Sequence, residues 1–253
     1  MPERLTEETA TEDALLNGRV RLLQPRRGHR VGSDAVLLAA ALRPLANETV
    51  VDLGAGTGAV GLMMAASGAA EGVFVERDAV LAALCRRNIE LNGLTGRARV
   101  IEADILHMRD GRCGDPPIAA DIVVTNPPFL EPGRSRPSPD PARAAAHQLS
   151  DEALGRWIEV GAGLLRVKGR LALIHRADRL ADCLKHLERA FGGIVVKAVH
   201  PRAGEAAIRI VLSAVKGSRA PLRVAPALVL HGPDGRFLPD IDTIHRGEAS
   251  LQM

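Results

Sequence analysis

Aromatic residues are nearly missing from this chain. They make up 2% of its 253 residues, and tyrosine is absent. Any stacking of a planar ligand therefore falls on Phe74, Phe129, Phe191, Phe237 or Trp157. Cysteine is as scarce. Cys85, Cys113 and Cys183 are odd in number, scattered and without C-x-x-C spacing, which argues against a disulfide frame or zinc site and fits reduced thiols. The eight histidines form no H-x-x-x-H or similar cluster, so no metal is expected. No apolar run is long enough to span a bilayer, and the N-terminus lacks the basic-then-apolar pattern of a secretory signal. A cytoplasmic protein is the expectation. What is present is a balanced globular composition, with 46% hydrophobic residues and a mean hydropathy of +0.04. The net charge of +3 and pI of about 9.0 permit a nucleic-acid partner without demanding one.

The order of elements follows from hydrophobic patterning. Residues 1–17 are polar and are expected to be a flexible N-terminus, followed by a single domain over 18–253. The lead-in 18–48 reads as a short strand, a turn through Pro25–Gly28 and a helix, with Asp34 as N-cap of the run from Ala35. From Thr49, strand and helix alternate: strands at 49–56, 72–78, 98–105, 120–126 and 170–177, helices at 58–67, 79–93, 150–169 and 178–190. The second helix closes on Asn92–Gly93. Segments 193–200 and 206–217 read as a β-hairpin, and 226–237, within a tail at 218–253, as a smaller one around Pro233-Asp234-Gly235. Repeated β-α units predict an α/β, doubly wound, mostly parallel sheet with a C-terminal antiparallel hairpin. Ligands in such sheets sit beyond the carboxyl ends of the strands. That rule places a candidate site at Asp52–Gly58, Glu76, Asp104 and Asn126–Phe129.

The stretch DLGAGTGAVG puts glycines at 54, 56, 58 and 61. Gly56, Gly58 and Gly61 satisfy G-x-G-x-x-G, and Glu76 follows at dinucleotide-fingerprint spacing, so a nicotinamide enzyme must be weighed. Against it stands Asp52, a carboxylate close to where a pyrophosphate would approach and better suited to a ligand ammonium.

The stretch DIVVTNPPF ends a β-branched run with Asn126, Pro127, Pro128 and Phe129. An exocyclic amine or an amide nitrogen is a poor nucleophile because its lone pair is delocalised. Two acceptors gripping its two N–H bonds favour a pyramidal nitrogen with the lone pair aimed outward. The Asn126 side-chain carbonyl and the Pro127 backbone carbonyl supply such a pair, and proline fixes its own φ and constrains the residue before it. Fixed acceptors where charge develops are the electrostatic route to rate. Phe129 offers a stacking face worth roughly 1–3 kcal/mol for a base.

These motifs carry resemblances. VVDLGAGTG resembles motif I of class I S-adenosylmethionine (SAM) methyltransferases. That implies SAM, converted to S-adenosylhomocysteine, lying on Gly54, Ala55, Gly56 and Gly58, with Glu76 on the ribose hydroxyls and Asp104 on the adenine amine. The Asn-Pro-Pro-Phe after D-I-V-V-T resembles motif IV of amino-directed methyltransferases, which include adenine-N6, guanine-N2 and protein glutamine-N5 enzymes. The lead-in LLQPRRGHRVGSDAVLLAAAL resembles that of bacterial tRNA N6-adenine methyltransferases acting next to the anticodon of a valine tRNA. Gln24, Gly28, Arg30, Ser33, Asp34 and Ala35 through Leu38 match, while His29 and Val31 replace the usual aromatics. The stretch after motif IV, with Gln148 where Glu is usual, and the closing hairpin, with Ala206 where Pro is common, resemble the same family over about residues 18–248. The resemblance adds Arg30, Asp34 and Asn126 to the cofactor-binding set. It implies a tRNA partner, no membrane, no stable protein partner, and a monomer or weak homodimer. Phe129 in place of Tyr, and the few residues before Thr49, favour a base over glutamine. Arg26, Arg27, Arg134, Arg136 and Arg202 fall on loops near the strand ends and are expected to bind nucleic acid. The Pro-rich basic stretch 131–147 is expected to close over the target base.

Overall fold

A computed structural model describes residues 10–26, 30–108, 118–128 and 151–253. Phe129, Arg27, Arg134, Arg136, His29 and Gln148 therefore lie outside the described residues, as does the expected loop at 131–147. The chain opens with β1 (Ala10–Leu15) and β2 (Val20–Pro25), paired antiparallel with Leu15 opposite Val20. The expectation of a flexible terminus thus fails for 10–15. Alternation in β2 buries Val20, Leu22 and Gln24, which gives the hairpin one face to bury. Next comes α1 (Ser33–Ala41), then β3 (Thr49–Leu53), α2 (Ala59–Ala66), β4 (Glu71–Glu76), α3 (Ala79–Leu91), β5 (Ala98–Glu102), β6 (Ala120–Thr125), α4 (Asp151–Leu164), β7 (Leu165–Arg176), α5 (Leu180–Leu187), β8 (Phe191–Arg202), β9 (Arg209–Lys216), β10 (Arg223–Val224), β11 (Leu228–His231) and α6 (Pro239–His245).

The main sheet runs β10-β8-β9-β7-β6-β3-β4-β5, with β11 also pairing β8. β3, β4, β5, β6 and β7 are mutually parallel, and β9 lies antiparallel between β7 and β8. The parallel strands are continuous apolar runs because both faces are covered. Alternate residues serve opposite cores. Val50, Phe74, Ile122, Val124, Ala172 and Ile174 join one cluster, with residues of α1, α2, α3 and α6. Val51, Val73, Val75, Val123, Leu171 and Leu173 join the other, with residues of α4 and α5. The chain proceeds outward from β3 to β4 and β5, then returns to place β6 on the other side of β3. The direction reverses between β3 and β6, so the crevice of a doubly wound sheet opens there.

Several boundaries depart from the sequence expectation. The strand expected over 49–56 ends at Leu53, where the glycine bend begins. The helix expected over 150–169 ends at Leu164, because Leu165 already pairs with Ala120. The register then shifts before Arg170 meets Ile122, with Lys168 in the left-handed region at φ 68°. The expected third strand stops at Glu102, and Asp104 caps a short 3-10 turn by accepting from the Leu106 N–H. In the tail, the turn at Pro233-Asp234-Gly235 forms and His231 bridges Phe237, yet β11 pairs parallel with β8, and α6 follows where no helix was expected. The hairpin of β8 and β9 and the Asn92–Gly93 closure of α3 stand as expected, Gly93 having φ 66°.

Candidate active site

Register places the key segments side by side. Leu53 in β3 pairs with both Val75 in β4 and Thr125 in β6, and Glu76 pairs with Glu102 in β5. The glycine bend, Glu76, the Asp104 turn and Asn126 therefore leave neighbouring strands at one edge, with strands spaced by about 4.8 Å.

The bend after β3 is tightly held. The N–H groups of Gly54 and Ala55 both donate to the Val75 carbonyl, at 2.9 Å each. Gly54 has φ 81°, and a Cβ there would lie 2.7 Å from the Trp157 ring, so conformation and contact both demand glycine. Gly56 has φ 56° and nothing within 4 Å of its Cβ position, leaving that side of the bend open to a ligand. Its N–H donates to Glu76 Oε2 at 2.7 Å, while Glu76 Oε1 accepts from the Asp78 N–H at 2.8 Å. Glu76 is thus aimed by backbone donors at both oxygens. A carboxylate oxygen accepts more than one hydrogen bond, so capacity for a diol remains.

Asp52 is buried, and its Oδ2 accepts from the Gly61 N–H at 2.8 Å. Desolvation pushes its pKa up to about 7; the Gly61 N–H opposes this and the Glu76 charge adds to it. Gly61, the last glycine of the dinucleotide-like spacing, therefore lies inside α2 with its N–H committed to a buried carboxylate, which is unfavourable for a pyrophosphate. Asp104 is partly exposed, 3.8 Å from Arg77 and 3.4 Å from His107.

At the end of β6, Pro127 is buried, Pro128 exposed and Asn126 half-buried. Asn126 Oδ1 is fully enclosed yet accepts no hydrogen bond among the described residues. Such an acceptor costs about 1–3 kcal/mol unless something donates to it.

The other expected residues are distributed less tightly. Asp34 is not the cap of α1. Gly32 occupies the N-cap position, and the Asp34 carboxylate accepts from Arg209 Nε at 2.9 Å. Arg209 pairs across β7 with Arg176, three residues past the Thr125–Leu173 pair, so Asp34 stands at the same edge but beside β7 and β9. Arg30 bonds Asp13 Oδ2, Thr11 Oγ1 and the Pro25 carbonyl, which makes it a brace of the lead-in; a cofactor would have to draw it from those partners. Arg26 and Arg202 are exposed, Arg26 donating to the Ala10 carbonyl and Arg202 to Glu205. β8 runs parallel to β7, so Arg202 ends at the same edge. Of the aromatics, Phe74, Phe191 and Trp157 are buried and Phe237 is partly exposed, stacked with His231 and His245.

Sequence reasoning missed the residues that assemble this edge. Asn88 and Asn92 lie one helical turn apart on α3. The Asn92 amide accepts from the Arg21 N–H and donates to the Arg21 carbonyl; the Asn88 amide does the same for Leu23. Four helical residues rise about 6 Å and two strand residues about 6.6 Å, so two side-chain amides can imitate a neighbouring strand. Asn88 Nδ2 also donates to the Thr57 carbonyl in the glycine bend. β2 therefore runs toward the start of α3 and carries Arg26 toward the carboxyl edge. The i, i+4 spacing of two asparagines was the available signal. Thr125 and Trp157, joined by a hydrogen bond beneath the edge, gave none.

Among the described residues, no His/Cys/Asp/Glu group could hold a metal, and no helix is long and apolar enough to cross a membrane.

Known proteins resemble this chain in sequence and in fold. A tRNA1(Val) (adenine(37)-N6)-methyltransferase of Porphyromonas gingivalis is 33% identical over 159 residues; the match covers 60% of this chain and 61% of that protein. One of the same name from Aeromonas hydrophila is 29% identical, with 82% of this chain and 85% of that one covered. A crystal structure of a predicted O-methyltransferase from Agrobacterium tumefaciens superposes with a TM-score of 0.71 at 31% identity, covering 86% of this chain and 98% of that one. The Thermus thermophilus 16S rRNA N2 G1207 methyltransferase, solved with AdoMet and guanosine, gives 0.57 at 24% identity over 82% of this chain and half of that one, a likeness of fold. The model of the methyltransferase small domain matches residues 29–202, well over half the chain, and the protein belongs to that family.

Proposed function

We propose that the protein is a SAM-dependent methyltransferase that methylates N6 of an adenine in tRNA, beside the anticodon of a valine tRNA, in the cytoplasm. The observation that carries this reading is the enclosed Asn126 Oδ1, without a donor among the described residues, beside the glycine bend. An acceptor without a donor, at a strand end next to a cofactor-type loop, suits an incoming N–H. The family membership and the named relatives support it.

The residues divide the work. Gly54–Gly58 receive the methionine and ribose part of SAM, Glu76 the ribose diol, Asp104 the adenine amine, and Asp52 the ammonium side. Asn126 Oδ1 and the Pro127 carbonyl hold the two N–H bonds of the target amine, with Phe129 against the base. Bound SAM would supply an electrophilic methyl group, and the Asn126 and Pro127 acceptors would leave the nitrogen lone pair free to take it, the nitrogen then losing one proton to solvent. Arg26, Arg27, Arg134, Arg136 and Arg202 are assigned to RNA phosphates. The acceptor pair favours nitrogen over the oxygen named for the Agrobacterium neighbour.

The test is incubation with labelled SAM and total tRNA, then digestion to nucleosides. N6-methyladenosine is expected, and Asn126→Ala removes it while SAM still binds. Label in another nucleoside, or none with the wild type, overturns the substrate assignment.

A further inference from the structure

Trp157 on α4 touches both halves of the proposed site from below. Its Nε1–H donates to Thr125 Oγ1 at 2.7 Å, and that hydroxyl donates onward to the Leu53 carbonyl at 2.7 Å. Leu53 is the last residue of β3, before the glycine bend, and Thr125 the last of β6, before Asn126. The indole also lies against Gly54, its Cζ2 and Cη2 close enough that no Cβ would fit. Thr125 is fully buried and Trp157 nearly so. One ring and one hydroxyl thus join the two strand ends that carry methyl donor and acceptor amine. The parallel ladder has already paired Leu53 with Thr125, so this bond is not needed to hold the sheet together.

We infer that Thr125 and Trp157 are positioning residues that set the distance between the cofactor bend and the amine clamp. This rests on the methyltransferase reading above. In-line transfer needs the nitrogen within near-attack range of the methyl carbon, and an error of about 1 Å can cost on the order of 10²-fold. A threonine serves because one hydroxyl both accepts from the indole and donates to the carbonyl; valine has the same shape and does neither. The indole serves because it combines a donor with a rigid ring that abuts the glycine bend.

The experiment has two arms. In the kinetic arm, Thr125→Val is expected to lower kcat by about 10- to 100-fold with KM for SAM changed by less than about threefold, and Thr125→Ser to recover most of the rate. Trp157→Phe, which keeps a ring and loses the N–H, gives the same split with a smaller loss, and stands in if Thr125→Val does not fold. An unchanged kcat in the folded variants, or equal losses in Thr125→Val and Thr125→Ser, overturns the inference. The second arm is independent of the acceptor. Trp157 is the sole tryptophan and there is no tyrosine, so intrinsic fluorescence reports on this ring alone. Adding S-adenosylhomocysteine is expected to change the emission of the wild type and of Asn126→Ala alike. No change, with binding verified by calorimetry, removes the ring from the cofactor bend and sinks the inference whichever amine is methylated. Absence of any binding instead sinks the SAM reading.

Discussion

The ends of β3 and β6 are neighbours in one sheet, and they are finished in opposite ways. After β3, every nearby polar group named above is engaged: Gly54 and Ala55 with Val75, Gly56 with Glu76, Gly61 with Asp52, and Thr57 with Asn88. After β6, Asn126 keeps an enclosed acceptor that no described residue uses. A saturated network is rigid and can receive a ligand without reorganising. An unsatisfied acceptor stores an interaction for the moment a donor arrives. The contrast suggests that β3 supplies a pre-built seat and β6 the group that acts on the substrate.

The largest effect that could break this contrast is at Asn126. Asn126→Ala is expected to lower methyl transfer by on the order of 10²- to 10³-fold, as for loss of one fixed dipole at a reacting centre. SAM affinity, measured by calorimetry, should stay within a few-fold. A parallel loss of affinity would mean the two strand ends do not divide the labour.

Glu76→Ala should do the reverse, raising KM for SAM by about 10- to 100-fold, as charged hydrogen bonds worth about 1.5–3 kcal/mol are lost. kcat at saturating SAM should fall much less. If kcat alone drops, Glu76 is not a seat residue.

Asn88→Ala leaves the Leu23 N–H, the Leu23 carbonyl and the Thr57 carbonyl without the amide, at a fully buried position. A destabilisation of about 1–3 kcal/mol by denaturant unfolding is expected. Asn92→Ala, at a more exposed rung of the same ladder, should cost less than about 1 kcal/mol. Equal costs would show that the link to the glycine bend adds nothing.

The smallest expected effect is a pH dependence from Asp52. Burial raises its pKa from 3.8 to about 7 in the folded chain. The folded state therefore keeps a proton that the unfolded state has released, and stability falls as pH rises between about 4 and 7. Asp52→Asn removes that titration, so its Tm should decline less than the wild type's across this window. If both decline in parallel, the carboxylate titrates outside the window. The charged form is the one that attracts an ammonium, so wild-type SAM affinity should rise from pH 6 toward pH 7.5, and the rise should flatten in Asp52→Asn.

Much of the site was legible because its residues follow directly on strands. The apolar runs ending at Leu53, Glu76 and Thr125 were readable as parallel strands, and parallel strands end at one edge, so the glycine bend, Glu76 and Asn126 could be grouped. Asp34 misled because an acidic residue before an apolar helix reads as a cap, and only the fold brings Arg209 to it from 175 positions away. The segment 10–15 misled because Thr11, Glu12 and Asp13 are polar. Their partners Gln24, Leu23 and Leu22 lie on a strand that Asn88 and Asn92 tie down from α3 and its cap.

By itself the sequence determined the doubly wound sheet, the glycine bend and the amide-proline-proline terminus, because each is written in local periodicity and in backbone restrictions of glycine and proline. Tertiary structure alone decided that Asp52 would be buried against Gly61, that two asparagines would stand in for a β-strand, and that one indole would reach both strand ends. Those outcomes depend on which side chains meet across 9, 65, 71 and 32 positions of chain, and such meetings are fixed only when the layers pack.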